Sequence, residues 1–364
     1  MAFATIGTAG ITDDAVTSAK VAPGVVDTEA QPNQAPIMIN GDMAVAQYGT
    51  SNTNFSNTTL VVDRIKGIAN GLGASGSVLT GSQVSDGPTG FEKSFKLEVT
   101  TAGGLDSADN RFAIETKFEH QDVSKFFDNN AMTLSFYVKS SLADTFAVGI
   151  ARNNQNTSSG GNLYIANYTI SSANTWQQVV INIPTSSTTT GETANATGVS
   201  LEWFLDIKSG GSRTGASLGW NDTTTAVQIN SAAADNGFFN ATNTWFITGV
   251  QLEVGTFTSS TLPPFKHESY GDNFARCCRY YWENQEDTAQ FPYQEGSVFM
   301  YQNRIFPVAM RAAPTATVTF AANAGSISSS TVSSLGKNSA ILQVNTASTG
   351  GRISCTSEKY SAEL

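Results

Sequence analysis

Soft metal ligands are scarce in this 364-residue chain: three cysteines, Cys277, Cys278 and Cys355, and two histidines, His120 and His267. Two of the thiols are adjacent in "ARCCRYYW", residues 275–282, and no C-x-x-C spacing occurs. Zinc centres draw on clustered Cys and His at set spacings, so this set speaks against one. A disulfide between neighbouring residues would distort the peptide that joins them, and burial of at least one thiol as a small apolar group is the plainer reading. Neither histidine sits in a nucleophile context, and the G-x-S-x-G, H-E-x-x-H and G-x-x-x-x-G-K-[ST] patterns are absent. No catalytic residue is assigned. Cleavage of a sugar would need two flanking carboxyls, for which Asp106, Asp109, Glu115 and Glu119 are the candidates. Acidic loop residues are common, and no repeat of β-helix type supports that alternative.

Binding chemistry is better represented. Sugars present apolar C–H faces and hydroxyl rims, which suit an aromatic plane flanked by short amide and carboxylate side chains. "GGSRTGASLGWND", residues 210–222, sets Trp220 in a Gly-rich stretch beside Asn221 and Asp222, with Arg213 nearby. Tyr164 and Tyr168 in "NLYIANYTI" share a strand face and would form a second platform, although packing explains them equally well. Trp203 falls on an apolar face and reads as core. No cofactor is expected. Calcium is the one metal whose hard oxygen donors appear together, as Asp106, Asp109 and Asn110 in "LDSADN", although a solvated loop accounts for them more simply.

The elements that must position these groups read as strands. Only 14% of residues are charged, while Ser, Thr, Asn and Gly fill the remaining surface, a composition suited to strands and turns rather than helices. In "MTLSFYVKS", Met132, Leu134, Phe136 and Val138 alternate with Thr133, Ser135, Tyr137 and Lys139, a half-buried strand. "VSLEWFLDI", "FKLEV", "RFAIETKF", "TFAVGIA" and "QQVVINIP" repeat the pattern. In "TWFITGVQLEVG", residues 244–255, Phe246, Val250, Leu252 and Val254 line one face, with Trp245 and Ile247 on the other. Many such strands separated by Gly/Ser/Asn turns predict an all-β, antiparallel jelly-roll-like sandwich over residues 37–266. Residues 267–364 predict a short amphipathic helix with Tyr270, Phe274, Cys277 or Cys278, and Tyr281 on one face and the other cysteine exposed or half-exposed, followed by a smaller C-terminal β domain.

Residues 1–36 differ. Ile6, Ile11, Val16, Val21 and Val26 recur every five residues, which fits neither a helix face nor a strand face. A lone chain could not bury that row, so it predicts an extended anchor or stalk whose copies pack together; the alternative is a disordered tail. A net charge of −10 argues against nucleic acid, and no apolar run approaches a membrane span or a secretory leader.

In order along the chain, "WFITGVQLEVG", "PPF" at 263–265, "ARCCRYY", "FPVAMRAAPTATV" at 306–318 and the final "AEL" resemble the C-terminal region of tail-fibre and related virion proteins of tailed bacteriophages. "ITDDAVTSAKVAPGVV" is similar to the stalk-like openings of such fibres, especially in marine and cyanobacterial phages. These motifs cover roughly a third of the chain. The resemblance implies a homotrimeric virion protein with a sandwich like that of carbohydrate-binding modules, assembled in the host cytoplasm, anchored to other virion proteins and adhering to a host surface glycan. It equally admits a capsid decoration or head fibre. Where the family reads Cys-Gln-Arg-Tyr, this chain has Cys277, Cys278, Arg279 and Tyr280, which removes a polar role at the second position.

Overall fold

The alternation that dictates strands is realised in the computed structural model as a set of named strand pairs that are all antiparallel. The structure describes residues 35–72, 76–108, 110–124, 130–152, 162–185, 197–209, 218–222, 234–284 and 290–364. The row Ile6, Ile11, Val16, Val21 and Val26, together with Asp109 and Arg213, lies outside them.

One sheet runs in the order β1 (Ser51–Asn52), β3 (Val78–Val84), β4 (Ser94–Thr101), β12 (Thr244–Val254), β6 (Met132–Ser140), β9 (Gln177–Ile183). The second runs β11 (Gly219–Asp222), β8 (Asn162–Thr169), β7 (Thr145–Arg152), β10 (Thr197–Ile207), β5 (Arg111–Glu119), β2 (Lys66–Asn70). Their facing sides carry one continuous core in which Phe95, Leu97, Ile114, Phe136, Val138, Phe146, Val148, Trp203, Trp245 and Ile247 are fully buried. Each such side chain stabilises the fold by about 1.5–3 kcal/mol of apolar burial. The all-β, antiparallel, jelly-roll-like sandwich is the architecture the alternation predicted.

Two bulges change which residues face that core. In β12 the pairing with β6 shifts between Thr248 and Gln251, at Gly249, whose φ is +61°. Before the shift Trp245 and Ile247 point into the core; after it Val250 and Leu252 do. Phe246 therefore sits on the outer face against Trp176, rather than in line with Val250 and Leu252 as simple alternation predicts. Only glycine fits the bend, since a Cβ there would lie 2.7 Å from Phe91 and 2.9 Å from Tyr137. In β10 a shift between Phe204 and Asp206 turns Ile207 to the outer face with Phe204 and Ala113.

The outer face of β6 is also less open than its polar residues suggest, because the chain after β12 folds over it. Thr133 and Ser135 are buried, and Thr133 Oγ1 donates to Gly255 O at 2.8 Å. Further along the same stretch, Phe265 packs on Phe91 with centroids 4.9 Å apart.

The helix α1 (Tyr270–Cys278) forms where expected, with Ser269 capping its start by accepting the Asp272 N–H at 3.2 Å. Both thiols of the pair are buried, at 0% and 1% exposure, so neither is the exposed partner that the helical spacing suggests. Cys277 enters a cluster with Ile39, Val45 and Tyr280, while Cys278 Sγ lies 3.9 Å from Gln47 Oε1; the segment at 39–47 covers the side of α1 that the sandwich does not.

A third sheet completes the fold. β13 (Tyr281–Asn284), β14 (Gln290–Gln294) and β15 (Phe299–Ile305) pair in succession with β17 (Ser339–Ser361), whose other side pairs with β16 (Thr315–Leu335). It is tied to the sandwich by buried polar contacts. The Arg64 guanidinium stacks 3.6 Å over Tyr280, forms an ion pair with Glu363 and donates to Lys117 O at 2.5 Å. Glu119 accepts from Arg279 at 2.7 and 2.9 Å and from Tyr280 at 2.8 Å, which commits that carboxylate to structure.

Candidate functional site

Strand alternation decides the fate of the predicted aromatic platform. Trp220 lies in β11, directly opposite Tyr164 of β8, so it belongs to a sheet edge rather than to a free loop. Tyr164, Ala166 and Tyr168 alternate toward the sandwich interior. Tyr168 is 5% exposed and wedged between Phe136 and Phe146, with centroids 5.2 and 5.7 Å away; burial pushes its phenol well above the usual range. It offers no surface to a ligand, so of the two readings of Tyr168 the packing one holds and no Tyr164–Tyr168 platform forms. Trp220 and Tyr164 are half-buried and meet edge to face at 5.4 Å. The indole N–H donates to Pro184 O at 2.8 Å and the Tyr164 hydroxyl to Asn182 O at 3.0 Å. Both acceptors lie at the end of β9, so this pair bolts the edge of one sheet to the edge of the other. The Asn221 amide donates to Gly219 O at 3.0 Å, and Asp222, in the same short strand, stands in backbone register with Asn162 of β8.

At the opposite edge, where β1 and β3 approach β2, the sandwich does not close. A cleft of about 490 Å³ is lined by Asn54, Phe55, Ser56, Asn57, Ala69, Leu72, Ser77, Val78 and Leu79, among others. Phe55, Leu72 and Leu79 are buried beneath it, while Asn54, Ser56 and Asn57 are exposed at its rim. An apolar floor under short amides and hydroxyls is the combination a sugar ring requires.

The cleft borders the loop that carries two of the predicted calcium ligands. Asp106 N donates to Gly71 O at 3.1 Å, and Ser77 Oγ to Gly104 O at 3.0 Å. Asn110 turns its amide to Ser107 Oγ at 3.0 Å. Among the described residues no group of three or more His, Cys, Asp or Glu is placed to hold a metal.

Charged groups also meet on the outer face of the second sheet. Glu115 of β5 stands directly across from Glu202 of β10, with Lys66 of β2 across from Glu115 on its other side. Lys66 Nζ is 2.8 Å and Lys117 Nζ 3.6 Å from the Glu115 carboxylate. Glu115, Glu202 and Arg111 are 4%, 7% and 6% exposed. Burial pushes the Glu202 carboxyl upward, Arg111 pulls it down, and Glu115 across the strands pushes it up again. Sequence reasoning named Glu115 for its acidity but missed Glu202 and Arg111. In "VSLEWFLDI" the glutamate reads as an outward solvent residue, and nothing in one strand reveals a second carboxyl facing it.

No protein-family model and no curated protein matches the chain. Solved structures do resemble it. The enzymatically active domain of tailspike protein 4 from bacteriophage CBA120 is 16% identical over 58% of this chain and 22% of its own, with a TM-score of 0.30. A sugar-binding protein assigned in Bacteroides thetaiotaomicron is 15% identical over 60% of this chain and 100% of its own, with a TM-score of 0.31. A family 11 carbohydrate-binding module of a Clostridium thermocellum cellulase is 12% identical over 57% and 97%, with a TM-score of 0.30. The chain thus spans about a fifth of the tailspike domain's length. At such scores none of these likenesses bears on function.

Proposed function

We propose that this chain is a virion fibre protein of a tailed bacteriophage, which adheres to a host surface glycan without cleaving it. The observation that carries the adhesion is the edge cleft of about 490 Å³, with amides and hydroxyls above an apolar floor. The placement in a virion rests on the ordered motifs from "WFITGVQLEVG" to "AEL".

The chain acts as a homotrimer held by the row Ile6 to Val26. An exposed apolar stripe on β15, with Phe299 at 54%, Tyr301 at 62% and Ile305 at 75% exposure, supports association of copies. Three weak sites on one assembly raise effective affinity without a strong single contact. Residues 1–36 contact the neighbouring virion protein.

The test is glycan-array binding by the full chain and by Ser77→Trp, which fills the cleft. Binding by the first and its loss in the second support adhesion. Release of reducing sugar replaces this reading with hydrolysis. Failure to bind any glycan, with particle images placing the protein on the head, replaces it with a decoration protein. Light scattering on the full chain and on one lacking residues 1–35 reads the oligomer, and a monomer in both cases removes the stalk.

A further inference from the structure

Lys66 of β2, Glu115 of β5 and Glu202 of β10 are register partners across three neighbouring strands, so their side chains stand in one row on the outer face of the second sheet. The row is enclosed. The Lys66 and Glu115 side chains are 19% and 6% exposed, and Glu202 is buried. Ala113, next but one to Glu115 along β5, and Phe204, next but one to Glu202 along β10, are fully buried, as are Ala147 and Ile207 of the same apolar cluster. Beyond Glu202 the register partner is Gly149, over which the Phe204 ring lies; a Cβ there would come within 2.9 Å of that ring. An amine is thus held against a carboxyl, with a second carboxyl beside them and apolar groups around.

Lys66 Nζ lies 2.8 Å from Glu115 Oε2, yet among the described residues that oxygen accepts no hydrogen bond. At so short a distance only direction is at fault, so the nitrogen meets the carboxyl group away from the lines along which an ammonium donates. A buried ion pair ordinarily aligns its hydrogen bonds, because that alignment offsets the loss of hydration. Lys117 Nζ stays 3.6 Å from Glu115 Oε1. Burial pushes the Glu202 carboxyl up; Arg111 pulls it down, Glu115 pushes it up, and Lys117 and Lys66 pull it down, with the net shift upward. A carboxyl that keeps its proton toward neutrality is a general acid, and this one stands a single strand spacing from Glu115.

We propose that Lys66 and Glu115 join through their side chains in an isopeptide bond, formed by the folded chain itself with Glu202 as proton donor. The Lys66 ammonium passes a proton to Glu115, leaving an amine and a carboxylic acid. The Nζ lone pair bonds to Glu115 Cδ while the C=O π pair moves onto oxygen. That pair re-forms C=O as the C–OH bond breaks; Glu202 protonates the departing hydroxyl, which leaves as water, and takes a proton back from the nitrogen. Ammonium and carboxylate become one amide and one water, Glu202 ends as it began, and no oxidant or activated donor takes part. Groups held in contact react as if at about 10⁵–10⁸ M, and the apolar surroundings keep water from reversing the step. The water leaves along the part-exposed Lys66 side chain. The bond fixes the first residue of β2, the last strand of this sheet, just after Arg64, which grips the third sheet through Glu363 and Tyr280. It does not depend on the virion or glycan reading.

The experiment is intact-mass spectrometry and peptide mapping of the full chain, beside Lys66→Arg and Glu202→Gln. The full chain is lighter than its sequence by one water, and the map contains a branched peptide joining Lys66 to Glu115. Lys66→Arg keeps the charge but has no amine to react; it shows the full mass and a thermal midpoint lower by about 10 °C, the worth of one cross-link. Glu202→Gln, folded by circular dichroism, retains the link in a minor fraction at most. The proposal is overturned by a full chain of unreduced mass with Lys66 and Glu115 in separate peptides. It is equally overturned by a link through Lys117 instead, or by a link as complete in folded Glu202→Gln as in the parent.

Discussion

Replacing Trp220 with alanine separates two accounts of that residue by which property changes. As a bolt between sheet edges, the indole contributes a hydrogen bond to Pro184 O, an edge-to-face contact with Tyr164 and half of its apolar surface. The hydrogen bond is worth about 1 kcal/mol, the aromatic pair about 0.5–1 kcal/mol, and half-burial roughly half of the 3–5 kcal/mol lost when a fully buried Trp is truncated. Trp220→Ala therefore costs about 3–4.5 kcal/mol. Trp220→Phe keeps most of the packing, loses the N–H and costs about 1 kcal/mol. Urea unfolding followed by circular dichroism measures both, and binding to the array-selected glycan is measured below the transition. The expected result is the two-step loss in stability with binding unchanged in the folded fraction. An alanine variant as stable as the parent but unable to bind glycan would refute the reasoning and restore Trp220 as a ligand contact.

Arg64→Met strands Glu363 beside an emptied slot over Tyr280; with Glu363 18% exposed, the cost is about 3 kcal/mol, read as a lower urea midpoint. Stability also depends on pH in a predictable direction. Burial raises Asp63 to about 7 and Asp206 to about 6, both above their unfolded value of 3.8. Their stabilisation is complete below about pH 4 and is lost as pH rises through 6 to 7. Glu119 and Asp86 behave oppositely. Burial pushes each up, but hydrogen bonds from Arg279 and Tyr280, and from Lys139 and Trp176, bring both below their ordinary values, so their contribution fades as pH falls toward 4. Thermal unfolding should give a higher midpoint at pH 5 than at pH 8, and an equal or reversed pair contradicts this. Burial raises the thiols of Cys277, Cys278 and Cys355, the last two to about 12, so a disulfide-exchange reagent at pH 8 should label none in the native protein and three after denaturation.

The sandwich was legible because alternation over five to nine residues needs only the local strand, as in "MTLSFYVKS", which forms β6 over the same residues. The helix was legible for the same reason at its own period. The bulges were not. Gly249 reverses the facing of β12 by one residue, and its cause is the crowding of Phe91 and Tyr137 from distant parts of the chain. The sequence left Tyr168 open between platform and packing, and placed Trp220 in a loop rather than a strand, for a related reason: alternation says that residues share a face, while the opposing sheet decides which face is inside. One thiol of the cysteine pair was expected near solvent, and both are buried because a covering residue such as Gln47, against Cys278, lies 231 positions away. The Glu115–Glu202 pair follows from strand order, and strand order is set by the whole sandwich rather than by either strand.

The hairpin of β16 and β17 has a mechanical consequence. Its strands of 21 and 23 residues extend about 70 Å, and β16 carries no fully buried residue. A pull along the strand axis loads many rungs of the ladder at once in shear, whereas a pull across it opens them one after another. A molecule tugged at one end of this hairpin while gripping at the other would hold far longer along its length than across it, so the direction of towing sets its grip.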